Sequence, residues 1–218
     1  MKQTIYNYIS IFYILTCIFI NIFAIKPLSF GTNTIICDGG TILSWLLFII
    51  SSLIVECYGF DKLKTIIKQT VICQLFIFLI SILIINIPTT SDYLEQAEAL
   101  KQVFNSNIRI FISSISAFSI SGFIDGLITH KLKSNIDKDS NNKFYFRSLF
   151  SSLIGQLFDN YLFGFLAFLK IGLSDFEMYT KDIITSCLYT TGFEIALESI
   201  ITFLILKKLI NFINKRIN

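Results

Sequence analysis

The segment Arg147–Phe168 reads RSLFSSLIGQLFDNYLFGFLAF. Ser148, Ser152, Gly155, Gln156, Asp159 and Phe163 recur in it at three- and four-residue steps. A helix over this segment gathers them on one small, polar stripe and turns leucine and phenylalanine outward everywhere else. Such a helix needs an apolar surrounding on most sides and a polar one on a single side. The rest of the chain supplies that setting. Of 218 residues, 54% are apolar and 15% are charged, against about 25% charged in an ordinary soluble domain. With 23 phenylalanines and its charges gathered in short blocks, the chain cannot cover an apolar core with a hydrated surface. Its outer surface must face lipid.

Six stretches reach the length of roughly 20 apolar residues that one membrane crossing requires. They run approximately over 5–25, 41–57, 66–87, 108–127, 146–168 and 183–206, with the second short and the fifth extendable to Ile171. The first is too long for a signal-peptide core and lacks a small-x-small cleavage site, so it is read as a membrane helix. The expected architecture is therefore a single all-α, six-helix transmembrane domain over 1–218. Lys and Arg set its orientation. Assigning the connections alternately to two sides places 13 basic residues with the two termini and five (Lys26, Lys101, Arg109, Lys170, Lys181) on the other side. Both termini are expected in the cytoplasm. Between helices, the outer loop 88–107 reads as an amphipathic helix over the outer mouth, with Ser91 as its N-cap and Leu94, Ala97, Leu100 and Phe104 on one face. The cytoplasmic segment 129–143, THKLKSNIDKDSNNK, reads as a flexible polar link.

The informative residues are ionisable groups inside the spans: Glu56, Asp125, Asp159, Glu194 and Glu198. An acidic residue at a helix centre costs about 2.5 to 3.5 kcal/mol on the insertion scale, while each Leu, Ile, Phe or Val returns about 0.3 to 0.6. The last span holds two glutamates against twelve such apolar residues, so the opposing sums, roughly 5 to 7 and roughly 4 to 7 kcal/mol, nearly cancel. That helix inserts only with partners or with a glutamate protonated, and either condition turns Glu194 and Glu198 inward. Thr191, Glu194, Glu198 and Thr202 form its stripe, and Ser114, Ala117, Ser121 and Asp125 form another on the fourth span. Stripes of Ser, Thr and Ala alone are ordinary helix packing. Carboxylates near the midplane, Asp159 and Glu194 above all, mark a pathway or binding site. Glu56 can instead pair with Lys62 or Lys64, and Asp125 can pair with His130, Lys131 or Lys133.

Other chemistries find little support. The net charge of +3 and the dispersed basic residues do not form a nucleic-acid groove. The five cysteines show no CxxC or zinc spacing and read as small packing groups, His130 stands alone, and no P-loop or GxGD pattern occurs. No metal, cofactor or catalytic set is implied.

Four segments together resemble the VUT family of queuosine-precursor transporters. NIFAIKP carries Asn21, Lys26 and Pro27 at the exit of the first helix, with Gly31 beyond. SSLIVECYGFDKLK carries Glu56, Tyr58 and Gly59, and RIFISSISAFSISGFID carries Arg109, Ser114 and Asp125. The opening segment follows the family's RxxxSxxxGQxxDxxxF arrangement through Arg147, Ser151, Gly155, Gln156, Asp159 and Phe163. Ser52 stands where the family often has Asp, and Lys64 replaces a usual small residue; these departures bear on the preferred substrate and on any ion coupling. The resemblance implies a fold like the substrate-binding subunits of vitamin uptake systems, in a bacterial plasma membrane. It also implies import of a 7-deazaguanine base or queuine for tRNA modification. A carboxylate, Asp159 or Glu194, would take the base's two adjacent N–H donors as it takes an arginine fork. Gln156 would read the carbonyl and a ring nitrogen, Phe163 would stack, and Asn21 and Lys26 would stand at the outer mouth. Glu56, Arg109, Asp125, Arg147 and Glu198 would support or gate the path. The partners are then a purine-like small molecule and the bilayer, with no direct nucleic-acid contact and a homo-oligomer left open. The alternative is a capture subunit for a vitamin or nucleobase driven by a separate ATP-hydrolysing engine. The first helix, IFYILTCIFI, lacks the small-residue stripes that docking to such an engine classically uses.

Overall fold

The computed structural model describes residues 2–24, 26–28, 37–105, 108–135, 141–171, 178–206, 208–210 and 212. Among these residues, seven α-helices appear in the order α1 (Lys2–Phe23), α2 (Thr41–Tyr58), α3 (Phe60–Ile85), α4 (Leu94–Asn105), α5 (Ile108–Asn135), α6 (Asn141–Phe168) and α7 (Thr180–Ile201). A 3-10 turn, Ser91–Tyr93, precedes α4, and a π-helical turn, Thr202–Leu206, continues α7. Between α1 and α2 lies a small antiparallel ribbon of β1 (Pro27–Leu28) and β2 (Cys37–Asp38), in which Pro27 faces Asp38.

The burial pattern is inverted relative to a soluble protein. Phe76, Leu83, Phe123, Phe158 and Phe203 are exposed, whereas Ser52, Thr70, Ser121, Asp125, Gln156 and Glu198 are almost completely enclosed. An apolar exterior around a polar interior is stable where the solvent is hydrocarbon. Among the described residues, five helical segments are long and apolar enough to cross a membrane: Gln3–Phe23, Thr41–Tyr58, Phe60–Ile85, Ile108–Lys133 and Thr180–Ile205. The helix α6, with 28 residues, falls outside that set. Arg147, Gln156, Asp159, Asn160 and three serines dilute its apolar content, and it packs against α5 on one side and α7 on the other. The centre of the bundle is α2, which touches α1, α3, α5, α6 and α7. Tyr6, Tyr13, Leu47, Ile54, Ile66 and Phe118 form the main apolar cluster between α1, α2, α3 and α5.

Several expected boundaries move. The stretch holding Lys62, Lys64 and Lys68 is helical rather than a loop, because one residue turns the chain from α2 into α3. Gly59 adopts φ 91°, ψ 164°, a conformation open essentially to glycine, and its N–H closes α2 on Ile54 O and Val55 O. The expected flexible link 129–143 is helical over 129–135 and 141–143, where α5 and α6 simply continue; 136–140 lie outside the described residues. Ser91 does not cap α4 but donates to its neighbour Asp92 at 3.3 Å, and the helix is entered through the 3-10 turn. The helix α4 packs against α3, leaving Leu94 and Leu100 exposed, and it contributes nothing to the lining of the cleft described next. The side chain of Phe104, and Gly31, lie outside what is described.

Candidate functional site

A cleft of about 370 Å3, including the space at its open mouth, lies among α1, α2, α5, α6 and α7 under the β ribbon. Asp159, Asn160 and Phe163 enter it from α6, Glu194 from α7, Ser114 from α5, Thr41 and Ser44 from α2, and Asp38 from the ribbon. The helical repeat explains this gathering. Asp159 and Phe163 are one turn apart on the stripe of α6, and Glu194 lies one turn from Thr190 and Thr191 on the buried face of α7.

Each polar group is held. Glu194 accepts from the Ser44 hydroxyl through Oε1 and from Asn160 Nδ2 through Oε2, the latter at 2.7 Å. Asn160 Nδ2 also donates to Thr191 Oγ1 at 2.9 Å, which leaves its carbonyl oxygen as the acceptor. Asp159 Oδ1 accepts from Ser121 Oγ at 2.8 Å. At the mouth, Asp38 Oδ1 accepts from the Thr41 backbone N–H at 3.1 Å and from its hydroxyl at 3.4 Å, fastening the start of α2. Gly39 and Gly40 let this corner close on α1: a Cβ at Gly39 would meet Phe23 O at 2.6 Å, and one at Gly40 would meet Ile20 O at 2.8 Å. Burial raises the Asp38 carboxyl from its ordinary 3.8 to about 6, and the N–H groups of Thr41 and Gly40 oppose that rise only in part. Three carboxylates face the cleft, and none of the described residues lining it is basic.

The sequence candidates divide by place. Asp159, Glu194 and Phe163 line the cleft together. Asn21 stands behind the wall, accepting from the hydroxyl of Ser114. Lys26 is exposed, and its carbonyl accepts from Gly39 N–H at 2.8 Å, so it fastens the ribbon without lining the cleft. Gln156 does not reach the cleft either. It is fully buried one turn deeper and donates to Glu198 Oε2 at 2.5 Å; Asn160, four residues on, occupies the position expected for it. Arg109 clasps the end of α6, donating to Leu166 O and Leu169 O, both at 2.8 Å. Glu56 pairs with Arg147 and, at 3.4 Å, with Lys133, not with Lys62 or Lys64. The single-residue turn at Gly59 swings those two lysines away: Lys64 bonds Asp61 at 2.6 Å, and Lys62 lies 5.1 Å over the ring of Tyr6. Asp125 makes no ion pair among the described residues, since Lys133 is committed to Glu56 and His130 stacks outside on Phe60. Asp38, Thr41, Ser44 and Asn160 are the polar cleft residues that the sequence reading overlooks. A continued four-residue step from Gln156 finds Asn160, and the Asp-Gly-Gly-Thr start of α2 points to Asp38.

A helical bundle with an apolar exterior and a polar cleft defines a multi-pass membrane protein. Residues 38–207 match the family described as "Putative vitamin uptake transporter", and the chain belongs to that family. The family is one of transporters rather than enzymes. No curated protein and no solved structure matches the chain.

Proposed function

We propose that the protein imports a queuosine precursor, a 7-deazaguanine base or queuine, across the bacterial plasma membrane for tRNA modification. In this reading α1, α2, α3, α5, α6 and α7 all span the membrane, with both termini in the cytoplasm and the ribbon outside. The observation that carries the proposal is the donor and acceptor balance of the cleft. Three carboxylates, an amide oxygen and no basic side chain among the described lining residues suit a ligand rich in N–H donors. They would repel the carboxylate that many vitamins bear. A guanine-like edge offers two adjacent donors to Asp159, whose Oδ1 alone is engaged by Ser121. Asn160 Oδ1, oriented by Thr191 and Glu194, accepts a further N–H. Phe163 stacks on the bicycle. Asp38 at the mouth is the natural partner of an alkylamine substituent, so amine-bearing precursors bind more tightly than a neutral nitrile. Opening of the site alternately to the two sides completes transport.

The test is queuosine content in tRNA of cells that lack their own importer, any ATP-driven partner and precursor synthesis. Supplied with precursor, cells expressing this chain alone should recover queuosine, and Asp159→Asn or Glu194→Gln should remove that recovery while the protein still reaches the membrane. No recovery with the unaltered chain would overturn autonomous transport. Full uptake by both variants would overturn the carboxylate site.

A further inference from the structure

Beyond the cleft, toward the Glu56–Arg147 pair, α2, α5, α6 and α7 bury a second set of polar side chains. Two contacts fix the register. The ring of Phe48 on α2 lies against Gly155 on α6, where an added Cβ would meet it at 2.7 Å and Asp125 Cβ at 2.9 Å. Two turns further along α2, Glu56 meets Arg147. Ser52 on α2 lies between those levels, as Ser151 and Ser152 do on α6. The bond from Gln156 to Glu198 joins α6 to α7, and Thr202 follows Glu198 by one turn. Asp125 Cβ lies against Gly155 and Glu198 bonds the next residue, Gln156, so α6 brings the two carboxyl groups to one level.

Ser52, Asp125, Ser152, Gln156, Glu198 and Thr202 are all 0% exposed. Among the described residues, Ser52 Oγ, both oxygens of Asp125, Ser152 Oγ, Gln156 Oε1, Glu198 Oε1 and Thr202 Oγ1 have no hydrogen-bond partner. Every one of these atoms is an oxygen, four of them acceptors only and three of them hydroxyls. Buried acceptors without donors are costly, and buried carboxylates without a counter-charge are more so. Among the described residues, Lys133 and Arg147 both bond Glu56. An oxygen-only shell from several helices is the surrounding that a hard cation takes. The π-helical turn Thr202–Leu206 begins at this level, and such interruptions of regular helical bonding concentrate at functional sites.

We infer that Asp125, Glu198, Gln156 and the hydroxyls of Ser52, Ser152 and Thr202 form a sodium-binding site distinct from the substrate cleft. A monovalent ion fits better than a divalent one: one oxygen of Glu198 is already taken by Gln156, and most of the other ligands are neutral. Magnesium also gives up its water reluctantly. The inference stands apart from the identity of the transported base, because the two sets of polar groups share no ligand atom.

The test is thermal unfolding of the full chain in detergent, with sodium chloride replaced stepwise by choline chloride at constant ionic strength. Bound sodium should raise the midpoint in a saturable way. Magnesium and calcium chlorides should not reproduce the rise. Asp125→Asn and Glu198→Gln should abolish it, Asp159→Asn in the cleft should keep it, and Thr202→Val, close in shape to the original, should move the titration to higher sodium. Sodium-23 line broadening on the unaltered protein gives a second readout that needs no variant. A midpoint indifferent to the choice of cation, a rise given by the divalent ions alone, or an unchanged sodium response in Asp125→Asn would overturn the site. Loss of base binding with the sodium response intact would count against the cleft reading only.

Discussion

Replacing Asp38 by Asn separates what this carboxylate does for the fold from what it does for a ligand. The amide keeps the shape of the side chain, and its oxygen can still accept from Thr41 N–H, so the start of α2 remains fastened. The difference is charge. Burial lifts the carboxyl from 3.8 to about 6 in the folded protein, a rise of about 2 pH units at about 1.4 kcal/mol each, or about 3 kcal/mol. Because the folded value is the higher one, the favourable contribution is complete below about pH 4 and is lost as pH rises through about 6. Asp38→Asn should therefore match the parent in acid and exceed it at neutral pH by up to about 3 kcal/mol, roughly 6 to 12 °C in midpoint for a chain of this size. Thermal unfolding in detergent from about pH 4 to about pH 8 reads the divergence directly. Binding should run the other way: the variant loses affinity for an amine-bearing base and keeps it for the neutral nitrile. A stability difference that stays flat across that pH range would mean that Asp38 is well solvated, and the reasoning from burial would fail.

Other substitutions test the frame. Gly59→Ala should cost about 1 to 3 kcal/mol through backbone strain alone, since nothing lies within 4 Å of the added methyl group; a neutral result in chemical unfolding would contradict the tight turn. Glu56→Gln should cost about 3 to 5 kcal/mol by leaving Arg147, 5% exposed, without its counter-charge, and Glu56→Gln/Arg147→Met together should recover much of that loss in a double-mutant cycle. Gly39→Ala should loosen the ribbon from α1, seen as faster proteolysis between α1 and α2 in intact protein. Unchanged cleavage would mean that the close contact with Phe23 O relaxes freely.

The helices and their inward faces are legible in the sequence because each rests on a local rule. Long apolar stretches interrupted by polar residues at helical spacing can bury those residues only together, and Asp159 and Glu194 follow from that rule. The rule does not determine rotation to within one residue. Gln156 and Asn160 belong to one stripe, and only the packing of α6 against α7 decides that Gln156 meets Glu198 while Asn160 faces the cleft. Partners of charged side chains are equally nonlocal. Glu56 lies six and eight residues from Lys62 and Lys64, yet it bonds groups on α5 and α6, because Gly59 reverses the chain and sends the near lysines elsewhere. Helix ends suffer in the opposite direction. Polar composition suggests a link after Thr129, but helical hydrogen bonding continues through Asn135 once α5 and α6 support one another. Asp38 lies outside the spans altogether, and the rule for intramembrane charge never examines it.

The contact of Phe48 with Gly155 gives the interior its partition. Successive turns of α2 bring Ser44 to the cleft, Phe48 against Gly155 and Ser52 to the second set of buried polar groups, so a single aromatic ring separates the two polar levels on the α2 side. With a ring carbon 2.7 Å from where a Cβ would stand, position 155 admits only a hydrogen while the ring lies flat. Any larger residue at 155 would push that ring toward one polar level or the other.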